Sequence, residues 1–213
     1  MTVWTIDAEP ASGGEAVARH LAEQADVPLV DGQFAFAVAL ALGTTVAAGR
    51  ELEGASARGV VRWGLVLGMS YRGAPELAAE LSRIERCRSV VEEAARQAAR
   101  RPCVILGHCA YAVLADHPGA RHVSIRAPRE WRARRLAAER CTTVATARRE
   151  LARADRRRRG AARGLAGPGA ADASRFHLVC DASRLTEDEL VHVLLLLGGR
   201  TATAPLLHSE AAG

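Results

Sequence analysis

The sequence predicts a three-layer α/β/α domain on a five-stranded parallel sheet, and three observations carry that expectation. Five short runs rich in β-branched and apolar residues, near 2–7, 27–31, 102–106, 121–127 and 175–180, alternate with stretches of helical spacing; that alternation is what a parallel sheet with crossover helices requires. The first run passes through a small-residue loop straight into a helix. At 213 residues the chain fits one domain, 1–213, with room for small insertions.

Thr2 to Ile6 is β-branched and aromatic, Pro10 to Gly14 is a loop of small residues, and Glu15 to Leu21 repeats apolar residues at helical spacing. A strand, loop and helix in that order place free N–H groups at the positive end of the helix dipole, which favours a phosphate. The common phosphate loop reads G-x-x-x-x-G-K-[ST]. Laid over it, Ala8 and Gly13 take the glycines, Gly14 the lysine and Glu15 the hydroxyl position. The alternative reading is an S-x-x-E capping box, in which Ser12 and Glu15 satisfy the first turn of an ordinary helix.

The second strand ends on Asp31, at the sheet edge where open parallel sheets bind ligands; a solvated loop aspartate is the other reading. Residues 32–73 interleave apolar runs with Gly43, Gly49, Gly54, Gly59, Gly64 and Gly68, which predicts two or three short helices forming a mobile insert. Trp63 and Tyr71 in that insert are read as core residues that could also stack on a base. Ala74-Pro75-Glu76 opens the longest clear helix, running to about Arg100 and packing on the sheet. Cys103 to Leu106 is a buried strand followed by Gly107-His108 at its ligand-facing end.

Arg121 to Ala127 alternates as a strand, Pro128 opens a helix, and Arg132 and Arg135 stand three residues apart on one face of it, with Arg134 turned to solvent. A basic helix from Thr143 through Arg163 follows, punctuated by Gly160, Gly164, Gly167 and Gly169. Arginines on glycine hinges predict a helical hairpin that closes as a lid, residues 142–170, bringing positive charge onto transferring phosphate. The competing reading is a nucleic-acid-facing arginine helix. No aromatic lies between Cys141 and Arg175, which counts against stacking on single strands. Arg175 to Asp181 is the last strand, Thr186 to Leu197 the last helix, and 199–213 a loose tail.

The chain has no lysine, so all 29 residues counted as Lys+Arg are arginine. Between Arg126 and Arg163 there are fourteen arginines against Glu130, Glu139, Glu150 and Asp155, a net of +10, so with +5 overall the remainder carries −5. A basic segment on an acidic body points to an anionic ligand. Five cysteines with no C-x-x-C pair read as free thiols in a reducing compartment, with neither a disulfide frame nor a zinc site. His20, His117, His122, His177, His192 and His208 show no metal-ligand spacing. The N-terminus shows no signal peptide and the longest apolar run, Val191 to Gly198, is too short for a bilayer, so the expectation is a cytoplasmic protein.

Ile6-Asp7-Ala8-Glu9-Pro10-Ala11-Ser12-Gly13-Gly14, a helix and then Val27-Pro28-Leu29-Val30-Asp31 resemble the opening of the bacterial cytidylate kinase-like family, I-S-R-E-x-G-S-G-G and I-P-x-x-D, which also lacks the loop lysine. Further along, Cys103 to Ala110 is similar to its V-I-V-G-R-x-A, and Ala127-Pro128-Arg129-Glu130-Trp131-Arg132-Ala133-Arg134-Arg135 to its A-P-x-E-x-R-x-x-R. Asp155 to Arg158 sits where the family has D-x-x-R, and Phe176 to Asp181 where it has Y-D-L-x-x-N. The resemblance implies a P-loop kinase-type fold and phosphoryl transfer from ATP with Mg²⁺ to a nucleoside monophosphate, CMP or dCMP first, with no resident metal. It implies phosphate binding by Ala11, Ser12, Gly13, Gly14 and Glu15, through the N–H groups of Ser12, Gly13 and Gly14. Arg132, Arg135 and Arg158 would stabilise the transferring group, Asp155 would orient the lid arginines, and Asp31 and His108 would line the acceptor side. The chain departs from the family at Ala8, Ala11 and His108, where arginine, glycine and arginine are usual, and at Glu15, where the family's arginine is often replaced. Two other functions follow from those departures: a nucleotide- or partner-binding module without turnover, and an arginine-rich nucleic-acid binder.

Overall fold

The computed structural model describes residues 1–31 and 74–200, so the expected insert at 32–73 and the tail beyond 200 lie outside the described residues. In chain order the elements are β1 (Val3–Ala8), α1 (Gly14–Ala25), β2 (Leu29–Val30), α2 (Ala74–Ala98), β3 (Cys103–Leu106), α3 (Ala110–Val113), β4 (Ala120–Arg126), α4 (Arg129–Glu139), α5 (Val144–Ala166), a 3₁₀ turn (Ala173–Arg175), β5 (Leu178–Asp181) and α6 (Glu187–Leu197). The five strands are parallel in the order β2-β3-β1-β4-β5. Strand β1 is therefore central, with Ile6 opposite Leu106 on one side and Val123 on the other.

Strand alternation decides which layer each β1 side chain joins. Trp4 and Ile6 pack with Val17 and Leu21 of α1 and Leu190 and Leu194 of α6. Val3 faces the opposite layer with Ile105, Val91, Ala95 and Leu114. Fully burying side chains of this size contributes roughly 1.5–3 kcal/mol each. The Trp4 indole N–H donates to Leu194 O (2.9 Å), and a Cβ on Gly198 would stand 2.2 Å from Trp4 Cζ2. The C-terminal end of α6 is thus fitted to the central strand by a residue without a side chain.

Thr5, on the same side of β1 as Val3, shares a 2.7 Å hydrogen bond with His122 Nδ1 of β4, and His177 Nδ1 accepts from the His122 N–H (2.9 Å). Burial pushes the His122 imidazole down to about 4, so the ring is neutral at pH 7 and links β4 to β1 without charge, while the His122 backbone N–H holds the His177 ring just before β5. At the other end of the chain, Thr186 and Glu189 form a reciprocal capping box that starts α6.

The arginine-rich segment corrects one expectation. Helix α5 runs unbroken through Gly160 and Gly164 to Ala166. Only the glycines beyond it, Gly167 (φ 76°) and Gly169 (φ 75°), adopt the positive φ that ends a helix. Two helices do pair as a hairpin, but they are α4 and α5, joined by Ala133, Leu136, Ala137, Ala147 and Leu151. Packing at both ends of the helix outweighs the glycine penalty of about 1 kcal/mol per residue. The far end of α5 is held separately, where Ala162, Leu165 and Ala166 pack on Cys109, Tyr111 and Phe176.

Candidate phosphate-binding site

The loop between β1 and α1 is built from backbone. Glu9 N–H donates to Ile125 O (2.9 Å), extending the β1–β4 ladder, and Ser12 N–H donates to Glu9 O (3.0 Å), closing a turn. Ser12 N–H therefore has a partner already, unlike the expectation that it joins Gly13 and Gly14 in holding phosphate. The first helical bond is Val17 N–H to Gly13 O (3.1 Å), so the amides of Gly14, Glu15 and Ala16 precede the intrahelical ladder. Ser12 Oγ is buried inside this loop with no hydrogen-bond partner. A buried hydroxyl without a partner costs about 1–3 kcal/mol, and a ligand oxygen at the helix start would relieve it.

The capping-box reading is not what forms. Gly13 is the N-cap, in the left-handed region at φ 88°, and no side chain caps the helix. Glu15 points outward, its side chain 68% exposed, and takes Arg19 as an i,i+4 partner at 3.1 Å. Its carboxylate is thus away from the loop, while its N–H stays in the first turn. Gly14 is fixed by sterics: a Cβ there would lie 2.2 Å from Ala8 Cβ. No lysine fits at that position while Ala8 packs beneath it. Ala11 (φ 60°) adopts the left-handed conformation despite its Cβ, and its methyl packs against the α4–α5 cluster.

Arginines cover this loop from α4 and α5. Arg132 is buried, its side chain 5% exposed, and every edge of its guanidinium has a partner. Nε donates to Ala127 O (3.0 Å), Nη1 to Pro10 O (3.1 Å) and Asp155 Oδ1 (2.9 Å), and Nη2 to Asp155 Oδ2 (3.2 Å). Glu9 completes the set at 3.4 Å from Nε while accepting the Ala127 N–H at 3.0 Å. Asp155 therefore clamps Arg132 bidentately; it does not orient arginines of its own helix. Arg135 lies directly over the loop, since a Cβ on Gly13 would stand 2.7 Å from its Nη1, and its Nε is steadied by Glu139 at 2.7 Å. Trp131 supports the same guanidinium from 5.6 Å.

Arg158 reaches from α5 to the end of β1, where its Nη2 donates to Asp7 Oδ2 at 2.5 Å, and its Nε is buried without a partner. Burial pushes the Asp7 carboxyl above its ordinary range, an effect that Arg158 offsets only in part. Cys109 beside it is driven up to about 12, chiefly by burial and then by the Asp7 charge, so its thiol is inert. Tyr111 O–H donates to Ala170 O (2.7 Å), and its ring packs at a 44° tilt against Phe176 with centroids 4.6 Å apart. These contacts fix the floor beneath Arg158.

The structure thus gathers Gly13, Gly14, Arg132, Arg135, Asp155 and Arg158 at the C-terminal end of β1. His108 lies two residues beyond β3, half-buried, in a run of three positive-φ residues, Gly107, His108 and Cys109. Asp31 stands exposed beyond β2, on the same sheet edge but two strands from β1. Sequence reasoning missed Asp7 and Glu9. The strand-end rule that singles out Asp31 applies equally to Asp7, which ends the central strand. Glu9 had only its place beside the loop to mark it, because its partners lie over a hundred residues away.

A bound Mg²⁺ in such a site takes one or two protein oxygens and several from phosphate and water. Among the described residues no three His, Cys, Asp or Glu side chains could hold a metal. The donor set suits a Mg²⁺ that arrives on the phosphates, with Ser12 Oγ the oxygen the loop can offer.

The sequence pattern of the cytidylate kinase-like family matches residues 3–184. The crystal structure of an uncharacterized protein from Eubacterium ventriosum ATCC 27560 is similar over 93% of this chain and 99% of its own, with a TM-score of 0.64 at 16% identity. Shikimate kinase from Bacteroides thetaiotaomicron is similar over 92% of this chain and 97% of its own, with a TM-score of 0.50 at 12% identity. Identities this low speak for the fold, an all-parallel α/β kinase-like fold. No curated protein matches the sequence. Among the described residues no helix is long and apolar enough to cross a membrane.

Proposed function

The chain belongs to the cytidylate kinase-like family, and from that premise we propose that it transfers the γ-phosphoryl group of ATP, carried with Mg²⁺, to a nucleoside monophosphate, with CMP or dCMP the first candidates. One observation supports this above the others: Arg135 lies over a left-handed glycine loop whose only hydroxyl, Ser12 Oγ, is buried and without a partner. That is a preorganised anion cradle. The amides of Gly13, Gly14 and Glu15 hold the donor phosphates, with Ala11 and Ser12 shaping the loop. Arg135 and Arg158 meet the charge that spreads over the transferring group, and Arg132, saturated by Asp155 and Glu9, positions the loop against the α4–α5 hairpin. Asp31 and His108 line the acceptor side. The acceptor phosphate oxygen forms the new P–O bond as the bond to the β-phosphate oxygen breaks, so the protein supplies position and charge.

A second reading is favoured by His108: it stands where the family usually has arginine and offers fewer donors to a phosphate, and a nucleotide-binding module without turnover needs no arginine there. Thermal shift with ATP, CMP and dCMP, with and without Mg²⁺, followed by a coupled assay of ADP release, separates the two. Stabilisation by triphosphate and monophosphate together with turnover supports the kinase. Binding of triphosphate without ADP release supports the module, and no shift with any nucleotide overturns both; a ligand at 100 times its Kd should stabilise by about 2.7 kcal/mol.

A further inference from the structure

The face of α5 turned away from the phosphate loop carries Arg149, Arg153, Arg156, Arg157, Arg159 and Arg163, all exposed. Placed at 100° per residue, Arg149, Arg153, Arg156 and Arg163 fall on one stripe, with Arg157 and Arg159 at its flanks. None of the six forms an ion pair among the described residues. The two carboxylates of α5 are both engaged with α4 or the turn after it: Glu150 accepts Arg140 at 2.8 Å, and Asp155 clamps Arg132. The helix has therefore sorted its charges, acids toward its partner helix and unpaired guanidiniums outward.

We infer that this ridge is a docking surface for the phosphate backbone of duplex nucleic acid, bound without regard to sequence. From Arg149 to Arg163 the stripe spans about 21 Å at 1.5 Å per residue, which matches about six base pairs of a duplex carrying a phosphate every 3.4 Å on each strand. Between the arginines stand only Ala152, Gly160 and other small residues, so the face has nothing to insert into a lipid surface and no ring to stack on an unpaired base. It also lacks the Asn and Gln side chains that read adenine edges, and among the described residues no carboxylate fixes its guanidiniums in the one geometry a bidentate contact to guanine needs, so backbone charge is what it recognises. The inference does not rest on the kinase reading, because the ridge faces away from the loop.

Fluorescence anisotropy with a labelled duplex of about 24 base pairs tests this between 50 and 200 mM salt. With about five phosphates neutralised, affinity should fall on the order of 10²- to 10³-fold across that range. The variant Arg149→Gln/Arg153→Gln/Arg156→Gln should lower the log–log salt slope by about three, and the corresponding Glu variant should abolish binding at 50 mM. A charge-matched control, Arg86→Glu/Arg100→Glu/Arg101→Glu on and after α2, should bind nearly as well as the parent. Unchanged melting temperatures and nucleotide-induced shifts in all variants show that the fold and the loop are intact. No binding at 50 mM, an equal loss in the control, a preference for single strands, or equal binding to polyglutamate or anionic vesicles of matched charge would each overturn the inference.

Discussion

The two faces of α5 hold the same residue type in opposite physical states. Facing the sheet and α4, Ala147, Leu151 and Asp155 make a continuous contact, and Arg158 is drawn onto Asp7 in a setting where its side chain is 27% exposed. Facing outward, six arginines stand in water with no carboxylate beside them among the described residues. A guanidinium held by a buried carboxylate has one geometry and can position a phosphate. A guanidinium in solvent contributes a screened field, useful only summed with its neighbours. Arginine count alone separates neither role, and the helix uses both.

Asp155→Ala should show the largest effect on this contrast. It leaves the buried Arg132 without its bidentate partner, which should cost about 3–5 kcal/mol in urea unfolding, with Arg132→Met/Asp155→Leu recovering much of that loss. A loss under about 1 kcal/mol would mean that the pair does not hold the hairpin. Leu151→Ala, which opens a cavity between α4 and α5, should cost about 3 kcal/mol by the same measurement. If it costs no more than an outward substitution, the two faces are energetically alike and the contrast fails.

Arg158→Ala tests function instead of stability. If the chain is a kinase, turnover should fall about 10²-fold, roughly 3 kcal/mol, while ATP affinity changes much less. Arg134→Ala, exposed on α4, is the comparison and should do little. Equal, small losses from both would place all of these arginines in the diffuse field and end the lid assignment.

The pH response of Arg158→Ala sharpens the same point. An unfolded aspartate loses its proton near pH 3.8, whereas burial raises Asp7 in the fold, so between those values the folded chain binds more protons and its stability falls as pH rises. Removing Arg158 takes away the charge that offsets burial. The decline in urea stability above pH 4 should then be steeper and extend to higher pH than in the parent; an unchanged profile would mean that Asp7 does not feel Arg158. The smallest effect belongs to the outer face, where Arg153→Ala should change stability by no more than about 0.5 kcal/mol.

Several elements were legible because their signals are local. Strands β1, β3 and β4 show as β-branched runs, Ala74 as the start of a long helix, Thr186 as a helix start, and the small residues at 10–14 as the loop that leads from β1 into α1. The order of short motifs along the chain pointed to the family that its sequence pattern matches. The alternative of a capping box at Ser12 and Glu15 stayed open in the sequence because a capping box and a left-handed glycine N-cap share the same composition. Gly160 and Gly164 were misread as hinges because glycine content is visible in sequence, whereas the packing beside them, on Cys109, Tyr111 and Phe176, is built from distant segments.

By itself, then, the chain's order of residues determined the layer architecture and the glycine loop before the first helix, since strand alternation, helical period and glycine conformation act over a few neighbours; the strand order that makes β1 central came from the fold. Only the tertiary structure decided which carboxylate holds which arginine. Asp7 meets Arg158 across 151 residues and Asp155 meets Arg132 across 23, after the β1–β4 pairing and the α4–α5 hairpin have formed. Ion pairs depend on distance and burial in space, and no local pattern carries either.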